Sequence, residues 1–498
     1  MRSKLNWILI FFSVVVILLT GSALIFIQGK KGIEKNGVLG EKKTDLASLR
    51  CPNCNVILIG IDTLRADHLS SYGYFRNTSP NIDKFAEKGV LFRNTFSASS
   101  KTTPSFMSMF TSLYPTDHGV LRIISSSRRD ALYTRINDSV KTLAEVLKEQ
   151  GYVTQALVST PQLPIEFGFD RGFDKFEVNM FTDNRNKLLQ WLKDNKDKKF
   201  FVFFHDMGPH DPYDSAQPYN TLYDPEYKGK ITTELKNIPE ISDMKGKRTL
   251  EKTVQEMNIY KKEVKSDFWS NVDDKNPKDK DIYHLEALYD GEIKFLDDFI
   301  GKLQGILEEH NLLENTIIIF TADHGEEFFE HGDFIHRQVY NEILKVPFIL
   351  ASPSLKDKLE ISEYVSTLDI MPTIMDFLNI PSLEPLRGRS LLPIIHNPSE
   401  DMNLPIVAMQ YTHKIPPIKT IIRDNYKLIL KDSSQELYDL YSDSKELLNL
   451  SDKKRDIANE LSNDLQKQLN DSRYIYKSTP LDFSLDEDTR EKLESLGY

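Results

Sequence analysis

Three apolar runs, far apart in the chain, each end at acidic residues or histidines. The runs and the polar residues behind them are 55–61 with Asp62, 200–204 with His205 and Asp206, and 316–322 with Asp323 and His324. Short runs rich in β-branched and aromatic residues are typical of fully buried strands in a parallel sheet. In open α/β sheets the ligand crevice lies beyond the carboxyl ends of such strands. The pattern therefore predicts an α/β fold whose site gathers carboxylates and imidazoles around a divalent metal ion.

The chain is organised as one large domain followed by a smaller one. Strand-like and helix-like patterns alternate from residue 55 onward, which predicts an α/β domain over 55–395. The pattern fades between about 214 and 283, and we interpret that Lys-, Asp- and Asn-rich stretch as an insertion that lies over the site or on the surface. Its length makes it a candidate for substrate selection. Short strand-like stretches and a polar helix over 453–470 predict a C-terminal subdomain with an antiparallel sheet over 396–498.

Further elements are predicted from the spacing of apolar residues and from glycine stops. They are helices over 83–89, 140–150 and 284–310, a strand over 152–159, a buried run over 346–351, and short strands over 419–423, 427–430 and 436–440.

An uncharged stretch over 7–27 follows Arg2 and Lys4. A helix of about 21 residues spans roughly 31 Å, which is enough to cross a bilayer. The alternative is a cleaved signal peptide, but the apolar run continues past the small residues that would form its cleavage site. We predict an uncleaved transmembrane anchor over 1–28 and a tether over 29–54, with the folded part in the periplasm or outside the cell. Lysines that follow this stretch in the sequence oppose the predicted orientation under the positive-inside preference, although a long folded domain can still be translocated.

Composition excludes some partners and leaves others open. The net charge of -11 argues against nucleic acid, because a phosphate backbone is usually met by a basic surface. An anionic ester is still a suitable substrate, since a local metal ion can outweigh a distant acidic surface. Cys51 and Cys54 lie just before a predicted strand, which favours a local disulfide or two thiols over a redox site. No oligomeric state follows from the sequence.

Residues 102–105 open a predicted helix. Thr103 suits the N-cap position and Pro104 the first helical position, so the plain interpretation is a capping motif. The functional interpretation places the Thr102 hydroxyl where backbone N–H groups and the helix dipole face an anion. A hydroxyl bound to a divalent metal ion loses its proton more easily there and becomes a nucleophile.

The order and spacing of these motifs resemble the sulfatase family within the alkaline phosphatase superfamily. The matching stretches are 55–67, 102–105, 111–115, 118–119, 209–213, 322–326, 346–347 and 436–440. The resemblance covers nearly everything from residue 55 onward. It implies a large central mixed β-sheet sandwiched by helices, followed by a smaller domain built on an antiparallel sheet.

The resemblance also implies roles for individual residues. Asp62, Asp323 and His324 would bind the divalent metal ion. Thr102 would be both a ligand of that ion and the nucleophile.

His210 and His336 would contact the oxygens of the ester or protonate its leaving group. Many sulfatases have a lysine at the position of His336. Asp206 stands four residues before His210, a spacing that resembles second-metal ligands in related phosphodiesterases. His205 and Arg65 are further candidates for a second metal ion or for the substrate.

Several positions depart from the sulfatase pattern. True sulfatases carry Cys or Ser at the nucleophile position, oxidised to formylglycine, with an arginine four residues later, whereas this chain has Thr102 and Phe106. Threonine is not the substrate of that oxidation, so no formylglycine is expected. The family's lysine and histidine after the next strand are missing around Ser159 and Pro161, and Thr63 replaces the second of two paired aspartates.

These departures predict a metal-dependent hydrolase, using Ca²⁺, Mg²⁺, Mn²⁺ or Zn²⁺, whose chemistry leans toward phosphate or phosphonate esters. Sulfate esters remain open. A threonine ester lacks the route by which a formylglycine hydrate collapses to its aldehyde, so water must attack the central atom. One rival is a membrane-anchored phosphotransferase acting on lipid or glycan hydroxyls. The other is a catalytically inactive binding protein that keeps the fold.

Overall fold

The structure, a computed structural model, describes most of the chain between residues 46 and 480. The described residues are 46–121, 134–160, 162–179, 184–229, 231, 277–383, 385–400, 402, 404–411, 417–471, 473–474, 476 and 479–480. The predicted anchor, most of the tether and residues 232–276 of the predicted insertion lie outside this set. Within it, no helix combines the length and the apolar character needed to cross a bilayer.

The three apolar runs form strands with the bounds that their sequence pattern predicts, or nearly so. The strands in chain order are β1 (Asn55–Ile61), β2 (Val90–Phe96), β3 (Thr134–Arg135), β4 (Val153–Val158), β5 (Lys175–Val178), β6 (Phe200–Asp206), β7 (Thr316–Ala322), β8 (Glu327–Phe328), β9 (Phe334–Ile335), β10 (Lys345–Val346), β11 (Phe348–Ala351), β12 (Leu359–Ser366), β13 (Ile406–Gln410), β14 (Ile418–Arg423), β15 (Tyr426–Lys431), β16 (Ser434–Asp439) and β17 (Thr479–Pro480).

Helices occupy the connections between these strands. They are α1 (Pro80–Ala86), α2 (Thr102–Thr111), α3 (Pro115–His118), α4 (Leu143–Glu149), α5 (Asn184–Asn195), α6 (Asp279–Glu309), α7 (Asn341–Leu344), α8 (Ile370–Phe377), α9 (Leu392–His396) and α10 (Arg455–Leu469).

The central sheet is mixed, as predicted. Its strands run in the order β10-β2-β11-β7-β1-β6-β4-β5, and β12 also pairs with β2. The middle of the sheet is parallel, because β1 pairs in parallel with both β6 and β7. On one side β11 runs antiparallel to β7 and to β2. The three strands whose ends carry the polar residues are therefore direct neighbours.

Both faces of the central sheet are covered, which explains why its middle strands are continuously apolar. Val56 and Leu58 of β1 pack into a core formed with α2, α4, α8 and α9. Ile57, Ile59 and Ile61 point the other way, into a core formed with α1, α5 and α6. Successive side chains of a strand face opposite sides, so one short run serves two cores.

The C-terminal subdomain is built on the antiparallel sheet β13-β14-β15-β16, as predicted. One face of this sheet, with Met409 and Leu428, packs against α10. Its other face, with Ile422 and Ile429, packs against Phe96 of the large domain. The two parts are thus joined by a shared apolar interface.

Some predicted bounds are wrong. Helix α1 begins at Pro80, three residues before the predicted start, because proline is favoured in the first turn. Helix α6 begins at Asp279 instead of residue 284, so part of the predicted insertion is regular helix. The run 346–351 divides at Pro347, whose missing N–H interrupts the strand. Helix α2 begins at Thr102, with the extended residue Lys101 before it.

The end of the predicted tether is folded onto the large domain. Leu49 is buried, the Arg50 guanidinium pairs with Asp376, and the Cys51 N–H donates to the Phe377 carbonyl. Cys51 and Cys54 form a disulfide, which was one of the two alternatives left open by the sequence.

Candidate active site

The register of the parallel strands brings polar residues from separate parts of the chain together. Ile61 at the end of β1 is paired with Ala322 at the end of β7, so the next residues, Asp62 and Asp323, meet at the same edge of the sheet. One ligand atom from each of Asp62, Asp323 and His324 lies within 4.8 Å of the others. All three side chains are fully buried. We call these three residues the acid–imidazole cluster.

The cluster has the donor atoms that a divalent cation requires. Oδ1 of Asp323 accepts hydrogen bonds from the backbone N–H groups of Thr63 and His324, at 3.1 and 2.9 Å. Its Oδ2 and both carboxylate oxygens of Asp62 accept no hydrogen bond from any described residue. His324 Nδ1 lies 3.0 Å from the Gly325 carbonyl, so the proton belongs on Nδ1 and the Nε2 lone pair faces the cluster.

The charges and pKa values of these residues also suit a bound cation. Burial raises the pKa of Asp62 well above its ordinary value of 3.8, and the neighbouring Asp323 charge raises it further. Burial lowers the pKa of His324, which keeps the ring neutral and able to act as a ligand. Two buried carboxylates, three of whose four oxygens accept no hydrogen bond from the described residues, are costly unless a cation compensates them.

Thr102 stands at the start of α2, against the cluster. Its Oγ1 lies 3.4 Å from His324 Nε2, and the side chain is only 1% exposed. The backbone N–H groups at a helix start have no partner within the helix, so they are available to an anion there. The predicted N-cap role of Thr103 is wrong, because its hydroxyl donates to the Gln162 carbonyl at 2.7 Å.

Phe106 fills the position where sulfatases have an arginine. Its ring is fully buried between Gly60, Phe203 and His205. A Cβ at Gly60 would lie only 2.6 Å from this ring, so β1 and α2 approach each other here as closely as a glycine permits. The helix is therefore fixed to the sheet by apolar packing, one turn beyond Thr102.

His210 and His336 lie at the rim of the cluster. The His336 ring centroid is 4.4 Å from that of His324 and 5.6 Å from that of His210. His210 Nδ1 lies 2.7 Å from the Asp211 carbonyl, and His336 Nδ1 lies 3.2 Å from Glu326 Oε1. In both rings Nδ1 is held by an oxygen, so Nε2 is the nitrogen suited to proton transfer.

The three candidates for a second metal ion or for substrate contact have different surroundings in the structure. The Asp206 carboxylate accepts hydrogen bonds from the Arg185 guanidinium at 2.8 and 2.9 Å. Burial raises the pKa of Asp206, but the Arg185 charge outweighs burial and brings the pKa below its ordinary value. Arg65 is paired with Asp67 and Glu330, and it lines a cavity of about 740 Å³ that the cluster does not line. The structure therefore brings neither Asp206 nor Arg65 into the cluster.

His205 is the third of these candidates. Its Nε2 lies 3.5 Å from Asp62 Oδ2, and burial lowers the pKa of this fully buried histidine to about 4. It is packed against the Phe106 ring. His205 thus lies behind Asp62 as a neutral imidazole.

Sequence reasoning missed two residues near the cluster. Glu326 contacts His336, and Lys101 Nζ donates to the His336 carbonyl at 2.8 Å. The position of Glu326 directly after Asp323-His324-Gly325 is a signal that could have found it. Lys101 gave no comparable signal, because its contact depends on how β9 lies against α2.

The family model described as Sulfatase matches residues 54–380. The chain belongs to the sulfatase family. It is accordingly an ester hydrolase of that family, whose members typically use a divalent metal ion. A second model, described as N-sulphoglucosamine sulphohydrolase, C-terminal, matches residues 329–474.

Individual relatives extend over most of the chain. The protein is 23% identical to an N-acetylglucosamine-6-O-sulfatase of Bacteroides thetaiotaomicron, over 86% of this chain and 88% of that one. It is 24% identical to an arylsulfatase of Clostridium perfringens, over 80% of this chain and 90% of that one.

Solved structures share the fold. One, in complex with its substrate D-glucosamine-2-N,6-O-disulfate, has a TM-score of 0.65 at 20% identity and covers 85% of this chain and 100% of that one. A phosphonate monoester hydrolase of Agrobacterium radiobacter has a TM-score of 0.66 at 18% identity, over 87% of this chain and 98% of that one. The alkaline-phosphatase-like α/β fold predicted from the sequence is confirmed.

Proposed function

We propose that this protein hydrolyses phosphate or phosphonate esters, with sulfate esters as a second substrate class, through Thr102 as the nucleophile. The observation that carries the proposal is the 3.4 Å distance between Thr102 Oγ1 and His324 Nε2 beside the two buried carboxylates. Asp62, Asp323, His324 and Thr102 would hold the divalent ion. When bound, this ion supplies positive charge that lowers the pKa of a hydroxyl and polarises an ester oxygen.

The chain's own residues account for the remaining steps. The N–H groups at the start of α2 face the anionic group of the substrate. Thr102 loses its hydroxyl proton to solvent, and its Oγ1 forms a bond to the phosphorus or sulfur while the bond from that atom to the leaving oxygen breaks. His336 or His210 gives a proton to the leaving oxygen. Water then attacks the same central atom, which breaks its bond to Thr102 and restores the hydroxyl.

The choice between phosphorus and sulfur rests on the nucleophile. Thr102 and the buried Phe106 replace both parts of the formylglycine motif, and this supports phosphate or phosphonate chemistry without formylglycine. The relatives named for sulfated sugars support sulfated glycans as substrates. Sulfate, phosphate monoester, diester and phosphonate substrates, each assayed with Ca²⁺, Mg²⁺, Mn²⁺ and Zn²⁺, would separate these classes.

Two variants test the nucleophile. Thr102→Ala should abolish turnover of aryl phosphates, phosphonates and sulfates alike. Thr103→Ala is the matched control, because it removes the same kind of hydroxyl from the next residue. The Thr103 hydroxyl donates to the Gln162 carbonyl and has no part in the proposed reaction. Retained activity in Thr102→Ala would refute the proposal, and mass spectrometry of the peptide that contains Thr102 would reveal any formylglycine.

Transfer of the covalent group to a lipid or glycan hydroxyl is the alternative reaction. It differs only in which nucleophile attacks the threonine ester, so the products made with and without a candidate acceptor would separate the two. A catalytically inactive protein would give no turnover with any substrate while still binding the metal ion.

We further propose that residues 1–28 anchor the protein in a membrane, with the folded part outside the cytoplasm. The Cys51–Cys54 disulfide supports this, because disulfides persist mainly in oxidising compartments. Protease treatment of intact cells, followed by detection of the folded part, would test the orientation.

A further inference from the structure

A second group of side chains that can bind a metal ion lies outside the acid–imidazole cluster and has no part in the proposed reaction. It consists of His331, Glu342 and Glu446, and one ligand atom of each lies within 4.8 Å of the others. Three separate segments supply these residues, namely the turn between β8 and β9, helix α7, and the loop that follows β16 in the C-terminal subdomain. We call these three residues the subdomain cluster.

Two of the ligand atoms in the subdomain cluster are buried and lack hydrogen bonds. The side chains of His331 and Glu342 are 9% and 7% exposed. His331 Nε2 and Glu342 Oε2 form no hydrogen bond with any described residue. The two atoms are 3.5 Å apart, which is longer than a good hydrogen bond. Buried polar atoms of this kind are costly unless a ligand satisfies them.

The rest of the subdomain cluster is held in place by other contacts. The His331 ring stacks on the Tyr340 ring, with 3.6 Å between the centroids, and the His331 backbone N–H donates to Glu327 Oε1 at 2.9 Å. Glu446 Oε2 accepts a hydrogen bond from the backbone N–H of Asn341 at 2.6 Å. The imidazole and the carboxylates are therefore already positioned toward one another before any ion binds.

The charges of the subdomain cluster leave one carboxylate without a lysine or arginine. Lys427 Nζ lies 2.7 Å from Glu446 Oε1, and both side chains are fully buried, so Lys427 compensates Glu446 when no ion is bound. A carboxylate oxygen has two lone pairs, which allows Glu446 Oε1 to contact Lys427 and a cation together. Among the described residues, Glu342 has an ion-pair contact with His331 and with no lysine or arginine. A cation between them would compensate the Glu342 charge.

The donor atoms indicate which ions would fit. One imidazole nitrogen with two carboxylate oxygens suits Zn²⁺ and Mn²⁺, whereas Ca²⁺ and Mg²⁺ prefer oxygen ligands throughout. The cavity of about 740 Å³ that Arg65 lines is also lined by Asn341, Glu342 and Ser444. It gives an ion a path to the subdomain cluster, and it gives room for a water molecule as a further ligand.

We propose that His331, Glu342 and Glu446 bind a Zn²⁺ or Mn²⁺ ion that joins the β8–β9 hairpin and helix α7 to the C-terminal subdomain. The site shares no residue with the acid–imidazole cluster, and its ion does not contact the substrate. It stabilises the hairpin whose last strand leads directly to His336.

The test uses the full chain with Asp62→Asn and Asp323→Asn combined, which removes both carboxylates of the acid–imidazole cluster. We call this protein the double variant. Binding of Zn²⁺ and of Mn²⁺ is measured by calorimetry and by metal analysis after gel filtration. Hydrogen–deuterium exchange of 327–335 and 440–447 is measured with and without the ion, and thermal unfolding is measured in parallel.

Glu342→Gln and Glu330→Gln are each added to the double variant. Glu330 is the matched control, because it precedes His331 in the same turn while its carboxylate pairs with Arg65 at 2.6 Å. Both changes replace one carboxylate by an amide, but only Glu342→Gln alters the subdomain cluster.

We expect the wild type to bind two ions per chain and the double variant to bind one. Glu342→Gln should weaken the binding of that remaining ion by at least about 100-fold, because a ligand is lost, and Glu330→Gln should leave its affinity unchanged. The ion should slow exchange in both segments of the double variant, with and without Glu330→Gln. It should have no such effect after Glu342→Gln.

A simple ion pair between His331 and Glu342 is the competing explanation of this arrangement. It predicts a double variant that binds neither Zn²⁺ nor Mn²⁺, and that result would overturn the inference. Equal loss of the ion in Glu330→Gln and Glu342→Gln would overturn it as well. If Glu342→Gln does not fold, His331→Gln replaces it and should also lose the ion, and retained binding would contradict the inference. No ester is turned over in these measurements, so their outcome is independent of the proposed function.

Discussion

Replacing Asp62 by Asn should make the metal-free protein more stable and should weaken its response to metal. Both carboxylate oxygens of Asp62 and Oδ2 of Asp323 accept no hydrogen bond from the described residues. Burial and the Asp323 charge raise the pKa of Asp62, so the folded protein without metal resists the ionisation of this residue. An amide at this position carries no charge, and its NH₂ group can donate to Asp323 Oδ2.

The magnitude follows from that new hydrogen bond. A hydrogen bond to a charged group contributes about 1.5–3 kcal/mol, so metal-free Asp62→Asn should exceed the wild type by about this amount in free energy of unfolding. A metal ion at 100 times its Kd stabilises the wild type by about 2.7 kcal/mol. In excess metal, the wild type should therefore become as stable as Asp62→Asn or more stable, because the variant has lost a ligand of the metal ion.

The dependence on pH has a definite sign. The folded-state pKa of Asp62 is raised, so its contribution to stability is fully present below the ordinary value of 3.8 and is lost as the pH rises through the folded-state pKa. The advantage of Asp62→Asn should therefore grow with pH. Asp206→Asn is the control with the opposite sign, because Arg185 brings the pKa of Asp206 below its ordinary value despite burial. Its loss of stability should be largest at neutral pH and should shrink on acidification.

Urea unfolding of both variants and of the wild type, in chelator and in excess metal across a range of pH, measures all of these quantities. The reasoning is refuted if metal-free Asp62→Asn is less stable than the wild type at neutral pH. It is refuted equally if metal stabilises the variant as much as the wild type.

Two further predictions concern packing and buried charge, and urea unfolding measures both. Lys427→Met should cost about 3–5 kcal/mol, because the fully buried Lys427 Nζ lies 2.7 Å from the equally buried Glu446 and its loss leaves that charge without compensation. Lys431→Met, in a partly exposed ion pair, should cost much less, and equal losses would contradict this reasoning. Gly60→Ala should cost about 1–3 kcal/mol, because its Cβ would lie 2.6 Å from the Phe106 ring, and a neutral effect would show that α2 moves freely on β1.

Local sequence determined the strands and their polar ends. The runs 55–61 and 316–322 became β1 and β7 with the predicted bounds, because a strand buried on both faces must be apolar at every position. The resemblance to sulfatases then supplied the mixed sheet and the antiparallel C-terminal sheet. The meeting of Asp62 with Asp323 was predictable, since each directly follows one of two neighbouring parallel strands.

Only the tertiary structure decided the partners of the individual side chains. Asp206 looked like a metal ligand from its spacing, but it is paired with Arg185 from the preceding helix. Thr103 looked like a cap, but its hydroxyl is used by the Gln162 carbonyl. Glu326 and His336 meet because of the register between β8 and β9, two strands of two residues each. A charged group or a hydroxyl forms a hydrogen bond with the partner that the fold brings within about 3 Å. Packing between distant segments sets that distance, and neighbours along the chain do not.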